Sequence, residues 1–417
     1  MSTPNNRRPD LSIDGSRLRR RFEELNEIGA TDRGGVNRPA LSDANKETRD
    51  TLVTWFCDAG LDVRIDEMGN IFARREGTDD RAPVLAGSHV DSQYNGGRYD
   101  GVVGVLGALE VVETLDDAGV ETYRPVEVVV WTNEEGVRFQ PDMLGSGVYT
   151  GQFDREYAYD RTDKSGDRFG DELERIGYRG ETACVADDPY CYFELHVEQG
   201  PYLSERDLSV GVVEGVYGFS WLNARFTGAA DHAGPTPMHL RTDALVATAD
   251  VIQAVRRLTA ATGTDLVGTV GSVDVSPNSI NVIPEEVELT LDLRSYDNGT
   301  VDDAVEQIER EMAWAGEREG ADWDLEEIMR VDAMPFDEDC TATVEAAAEA
   351  VGAEYMRMVS GAGHDANYLN EICPTSMIFV PSEGGVSHTE DEYTEWEDVV
   401  VGTDVLLQAM LAKSEER

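Results

Sequence analysis

The stretch GSHVDSQYNGGRYDGVVGVLGALE, residues 87–110, decides the fold. The apolar run APVLAGSHV leads into it, a histidine and two aspartates follow in and before a glycine-rich turn, and a segment with helical apolar spacing leaves it. Strand, polar turn and helix in that order make the first half of a βαβ unit, and the polar residues stand at the strand's carboxyl end, where open α/β sheets place their ligands.

The same grammar recurs on both sides. Residues 15–27 and 42–60 carry helical spacing, PVEVVVWTNEEG is a second buried strand ending in acids, and CYFELHVEQGP is a third ending in polar residues and Gly-Pro. The chain is therefore expected to be α/β, with a site along one sheet edge. From about residue 210 the pattern changes. LSVGVVEGVYGFSWLNARFTG reads as two strands joined by a turn, RTDALVATADVIQAVRRLTAAT as an amphipathic helix, TVGSVDVSP and EVELTLDLRS as two more strands, with a helix near 301–315 and a strand near 323–329. Four of these strands with the two helices describe a small α+β sandwich, and helix-strand units resume at Thr341. The expected division is 1–210 and 331–417 as two parts of one domain, with 211–330 inserted.

The 417 residues are 41% hydrophobic, enough for a substantial core, and carry a formal charge of -48. The 83 acids are spread along the chain, and only three of the 35 basic residues are lysine (Lys46, Lys164, Lys413). A surface of one sign repels itself unless salt screens it, so a salt-accumulating, halophilic cytoplasm is the expected setting. With no basic stripe to neutralise phosphates, nucleic-acid binding is excluded. The five cysteines form no CxxC pair and fit reduced, mostly buried thiols. The start MSTPNNRRPDLSIDG has twin arginines without a following apolar segment, and no run of about 18 apolar residues occurs, so neither an export signal nor a membrane span is expected.

Six histidines are present, and His89, His196 and His388 each follow a predicted strand. Two-residue spacing puts His89 and Asp91 on one strand face, where Asp91 can accept the imidazole N–H and fix the metal-binding tautomer. Asp100 sits in NGGRYDG, whose flexible backbone can turn the carboxylate back toward His89, although it also reads as a cap for the next helix. Acid pairs are commonplace in this chain, but Glu134 and Glu135 end an apolar strand, where two carboxylates repel unless cations or a shared proton compensate them. Three histidines and two carboxylates from separate strand ends can satisfy two zinc ions, leaving one acid as a base.

Those motifs, together with WTNEEGVRF, MLGSGVYTG, DHAGPTPM, RTDAL, NSINVIP, DLRS, SGAGHDA and VPSEGGVSHTEDEYT, resemble the binuclear-zinc amidases that include N-carbamoyl-L-amino-acid hydrolases, β-ureidopropionases and allantoate amidohydrolases, within the aminoacylase and carboxypeptidase group. The resemblance covers nearly the whole chain. It implies two divalent metal ions per subunit, zinc with Mn²⁺, Co²⁺ or Ni²⁺ able to substitute: Asp100 bridging, His89 and His196 completing one site, Glu135 and His388 the other, and Glu134 as general base. It implies substrate contacts from Gln199, His232, Asn281, Arg294, Gly363 and His364, and a ferredoxin-like inserted lid that pairs two subunits into a homodimer. Glu390 departs from the pattern, since related sequences commonly have proline there. The expected substrate is a small ureido or carbamoyl compound, most of all an N-carbamoyl-L-amino acid. Allantoate and β-ureido acids are the alternatives. An aminoacylase or peptidase is more remote, because HVEQGP supplies histidine where many such relatives use a carboxylate, and a non-catalytic binder would be expected to have lost the base or a ligand.

Overall fold

The computed structural model describes residues 11–260 and 265–417, so the twin arginines Arg7 and Arg8 lie outside the described residues. The chain divides into two compact units, one comprising residues up to Glu214 together with Phe336–Arg417, the other Gly215–Pro335. The boundaries fall a few residues later than the sequence pattern suggests, because strands run on through both of them.

The strands before the first boundary are β1 (Asp62–Ile65), β2 (Ile71–Arg75), β3 (Val84–His89), β4 (Val126–Trp131), β5 (Cys191–Val197) and β6 (Val210–Val216). The second unit holds β7 (Gly218–Thr227), β8 (Val267–Ser276), β9 (Glu286–Ser295), β10 (Asp322–Val331) and β11 (Met334–Pro335), the last paired with Val216 and Gly215. The chain then returns through β12 (Tyr355–Ser360) and β13 (Thr375–Val380). In the first unit the strands are ordered β1-β2-β4-β3-β5-β13-β6, with β12 also beside β6.

The central strands β4, β3, β5 and β13 are mutually parallel, so their carboxyl ends lie along one edge. Every residue of these four strands is buried, which explains why they read as continuous apolar runs rather than alternating ones. Helix Val102–Asp117 is buried along nearly its whole length, including Glu110. Arg17, from helix Gly15–Glu27, neutralises that acid with two hydrogen bonds at 2.7 and 2.8 Å, a paired geometry that offsets the desolvation of the buried carboxylate.

The second unit runs β7, helix Ala244–Thr259, β8, β9, helix Asn298–Glu319, β10, the βαββαβ order of a ferredoxin-like fold, with antiparallel sheet order β10-β7-β9-β8. Burial alternates along β7 and β9 with period two. Their inward residues, among them Leu222, Phe226, Leu289 and Leu291, share one core with Val251, Ile308 and Met312 of the helices. The sequence reading takes β6 and β7 as one pair; instead β6 pairs with β13 of the first unit and β7 with β9 and β10. The two strands are separated by one residue, so nothing local distinguishes a hairpin from a strand that leaves one sheet as the next begins another.

Among the described residues no helix is long and apolar enough to cross a membrane. The five cysteines are free thiols, Cys57 exposed and the other four buried.

Candidate metal centre

The carboxyl ends of β3, β4, β5 and β13 bring the candidate ligands together. β3 ends on His89, a buried ring whose Nδ1 lies 2.9 Å from the backbone carbonyl of Asp91. A carbonyl only accepts, so Nδ1 carries the proton and Nε2 keeps its lone pair. His196 on β5 repeats the device, with Nδ1 2.9 Å from the carbonyl of Val197. Both Nε2 atoms face Oδ1 of Asp100, at 3.3 Å from His89 and 3.1 Å from His196. Nε2 of His89 is buried and has no aligned hydrogen bond.

The Gly101 amide donates to His196 Nε2 at 3.3 Å, but His89 Nε2 faces the same carboxylate oxygen with no hydrogen-bond donor, a geometry that suits a cation. Gly101 makes room for it. Its backbone has φ +67°, and a Cβ there would fall 2.6 Å from Cε1 and Nε2 of His89.

A second donor set shares the bridging group. Oδ2 of Asp100 lies 3.4 Å from Nε2 of His388, which is 3.6 Å from Oε2 of Glu135. Donor atoms of His89, Asp100 and His196 lie within 4.8 Å of one another, as do those of Asp100, Glu135 and His388. Nitrogen and carboxylate donors of this kind suit a divalent transition ion, so the residues fit the expected pair of metals. The Gln199 side-chain amide spans the second set, donating to Asp100 Oδ2 at 3.0 Å and lying 3.1 Å from His388 Nε2.

The acids after β4 are held by Asp91 and Gln93. The Asp91 carboxylate accepts from the amides of Glu134 and Glu135, both at 3.3 Å, and Glu135 accepts from the backbone and side chain of Gln93 at 3.0 and 2.7 Å. The expected Asp91 carboxylate contact to the His89 ring is therefore replaced by a backbone one. β3 stops at His89, so the face-sharing of residues two apart no longer holds beyond it.

Oε2 of Glu134 lies 3.4 Å from His89 Nε2. Burial and the neighbouring Glu135 carboxylate raise its pKa well above the ordinary carboxylate range, while His89 opposes them. Burial and Asp100 raise Glu135 to about 7. Burial disfavours the charged form of His89, but the Glu134 and Asp100 carboxylates outweigh it and raise the ring. For Asp100, burial is outweighed by the three histidines, which hold the carboxyl well below its usual value.

His364 packs against His196. It is buried, its ring centroid is 4.6 Å from that of His196, and its Nε2 meets Ser360 Oγ at 3.1 Å. Burial and the nearby His196 lower its pKa well below the ordinary histidine value. A Cβ on Gly363 would lie 3.4 Å from Met143 Cε. A buried network that sequence reasoning missed lies in the same layer: Glu194 accepts from Ser88 Oγ at 2.7 Å, Tyr192 OH at 3.1 Å and Ala366 N at 3.1 Å, and Ser146 donates to Asp365. Its residues are scattered along the chain, with no spacing to mark them.

In the second unit, His232 and Asn281 are neighbours: His232 bridges to Val282, and Ala233 N donates to the Asn281 carbonyl at 2.9 Å. His232 Nδ1 accepts from Gly234 N at 3.0 Å, which pins its own turn. Arg294 on β9 pairs with Asp292 at 2.9 Å.

Residues 85–412 match the sequence profile of Peptidase family M20/M25/M40. The chain is 43% identical over 404 residues to an N-carbamoyl-L-amino-acid amidohydrolase of Rhizobium meliloti, across 97% of each chain. It is 32% identical to an allantoate amidohydrolase of Escherichia coli strain K12, across 92% of this chain and 94% of that one. The crystal structure of an amidase of the hydantoinase/carbamoylase family from Burkholderia multivorans is similar at a TM-score of 0.94 and 45% identity, covering 98% of this chain and 100% of the other.

Proposed function

Since the chain belongs to the M20/M25/M40 family of metallohydrolases, among its hydantoinase/carbamoylase amidases, we propose that it hydrolyses N-carbamoyl-L-amino acids to the L-amino acid, carbon dioxide and ammonia. The observation that carries this reading is the pair of donor sets sharing Asp100, with the buried carboxylate of Glu134 beside them. His89, Asp100 and His196 would hold one divalent ion and Asp100, Glu135 and His388 the other, with zinc the ion expected. When bound, such ions supply Lewis acidity toward a poorly electrophilic ureido carbonyl and lower the pKa of water.

The chain's own residues do the rest. Glu134, made basic by burial, accepts the proton of the attacking water at its carboxylate and returns it to the departing nitrogen. Asp91 fixes the orientation of that carboxylate through the Glu134 and Glu135 amides. Arg294 holds the substrate's α-carboxylate bidentately in exchange for Asp292, while Asn281, Gln199 and His232 add directional hydrogen bonds and Gly363 leaves space for the backbone to approach. The active form is a homodimer in which His232 serves the neighbouring subunit's site, and the setting is the cytoplasm of a salt-accumulating cell.

Allantoate amidohydrolysis is the second reading, favoured by the likeness to the Escherichia coli enzyme. A metal-loaded activity screen in molar KCl against N-carbamoyl-L-amino acids, ureidopropionate, allantoate and dipeptides separates them. Faster release of L-amino acid from the carbamoyl compounds is expected. Turnover confined to allantoate or ureidopropionate moves the assignment to that substrate, and turnover of dipeptides alone overturns the carbamoylase reading.

A further inference from the structure

Glu392 lies four residues beyond His388, and no part of the reading above gives it a role. It is buried, 5% exposed, and one carboxylate makes three charge-assisted contacts. Oε1 accepts from the backbone amides of Tyr99 at 3.0 Å and Asp100 at 3.1 Å, and Oε2 accepts from Ser387 Oγ at 2.8 Å. The first pair fixes the turn that presents Asp100, and the third holds the loop that presents His388. Two successive amides can share one oxygen only while the 99–100 turn keeps its shape, and a Cβ on Gly97 would collide with the carboxylate.

The His388 loop needs such a hold. His388 is a non-glycine residue at φ +57°, a conformation that persists only where the surroundings fix it, and its side chain is half exposed. The loop closes further through the Glu392 amide, which donates to the Thr389 carbonyl at 3.1 Å. On its outer side Glu390 accepts from Thr31 Oγ1 at 2.5 Å and pairs with Arg33 at 3.2 Å, which gives a side-chain clasp where related sequences commonly have proline.

We propose that Glu392 is a positioning residue that sets the separation of Asp100 and His388, and with it the second donor set. The inference rests on the reading of Asp100, Glu135 and His388 as metal ligands. A carboxylate holding two ligand-bearing segments of this kind commonly contributes about 10- to 100-fold to metal affinity.

The test is titration of metal-free protein with Zn²⁺ against a chromophoric competitor, in wild type, Glu392→Ala, Glu392→Gln and Ser387→Ala, with kcat and KM measured alongside. Wild type should take up two ions; if it binds none near Asp100, the ligand reading itself fails. Glu392→Ala should keep one tight ion and weaken the other by 10-fold or more. Gln can still accept both amides and donate to Ser387 Oγ, so it should stay within about threefold of wild type. Equal affinities in wild type and Glu392→Ala overturn the proposal, as does a Gln variant as weak as Ala, which would assign the effect to charge instead of position. A purely structural role would lower the melting temperature without selective loss of one ion. If Glu392→Ala does not fold, Ser387→Ala decides: it removes only the His388 end of the tie and should weaken the second ion alone, and two wild-type affinities there refute the assignment.

Discussion

Glu134 and His89 meet at 3.4 Å between Oε2 and Nε2, whereas Glu135, the next residue, turns to Gln93 and His388. Adjacent acids therefore face different partners, and their conservative variants should fail differently. Glu134→Gln keeps the shape and removes the proton acceptor, so turnover should fall by about 10²-fold or more with metal content unchanged. Glu135→Gln should lower metal affinity first. Metal analysis beside initial rates checks both, and a fully active, metal-replete Glu134→Gln enzyme would show that another group is the base.

How much of this was legible depends on what each residue's signal was. Glu134 and Glu135 stood out because two acids end an apolar strand, an arrangement with an evident electrostatic cost. Asp100 was weaker, since its glycine-rich turn suggested a carboxylate swung back toward His89 while an aspartate before a helix more readily reads as a cap, and the bridging role came from the family pattern. The Asp91 contact was misread because strand parity was extended past the end of β3. Glu392 was invisible for a different reason: its meaning lies in amides almost three hundred residues away, and backbone donors leave no trace in a sequence. The inserted unit was readable from its succession of strand-like and helix-like segments and the return of helix-strand units at Thr341, whereas the pairing of β6 depends on which sheet has a free edge.

Asp66 offers a pH test away from the metal ligands. It is buried, accepts from Met68 N and from Asn70 N and Nδ2, all at 2.9 Å, and burial raises its pKa from 3.8 to about 6. The folded state then binds more protons than the unfolded state between those values, so the group favours folding at low pH and that contribution is lost as pH rises through about 6. Asp66→Asn should remove the slope. Across pH 5 to 7.5 the stability of the variant relative to wild type should rise by about 1.4 kcal/mol, read from denaturant midpoints at constant salt. A difference that stays flat over that range would mean Asp66 is already ionised when folded.

The charge of -48 bears on salt dependence. Lowering salt from about 1 M to 0.1 M lengthens the screening distance from about 3 Å to 10 Å, and neighbouring acids then repel across the surface. Melting temperature should fall as KCl is withdrawn. Sucrose at matched osmolality should not substitute for KCl if screening is the cause, and a melting point indifferent to KCl contradicts the halophilic setting.

The shared-site proposal rests on His232, which belongs to the second compact unit while every proposed metal ligand belongs to the first. Its Nδ1 is occupied by the Gly234 amide, and among the described residues its Nε2 has no hydrogen-bond partner, so the ring is held in one orientation with a donor free for a substrate. Pinning its own turn and serving a neighbour's site are thus compatible roles, and mutation of His232 alone does not separate them. Complementation does. Inactive Glu134→Gln chains are mixed with inactive His232→Ala chains under conditions of subunit exchange. If His232 serves the other subunit, each heterodimer has one site with both defects and one with neither, and activity should return toward half of wild type per heterodimer. If His232 serves its own subunit, each site keeps one defect and nothing returns. Exchange is verified by mass-tagging one partner, so silence in an exchanged mixture rules out the shared site.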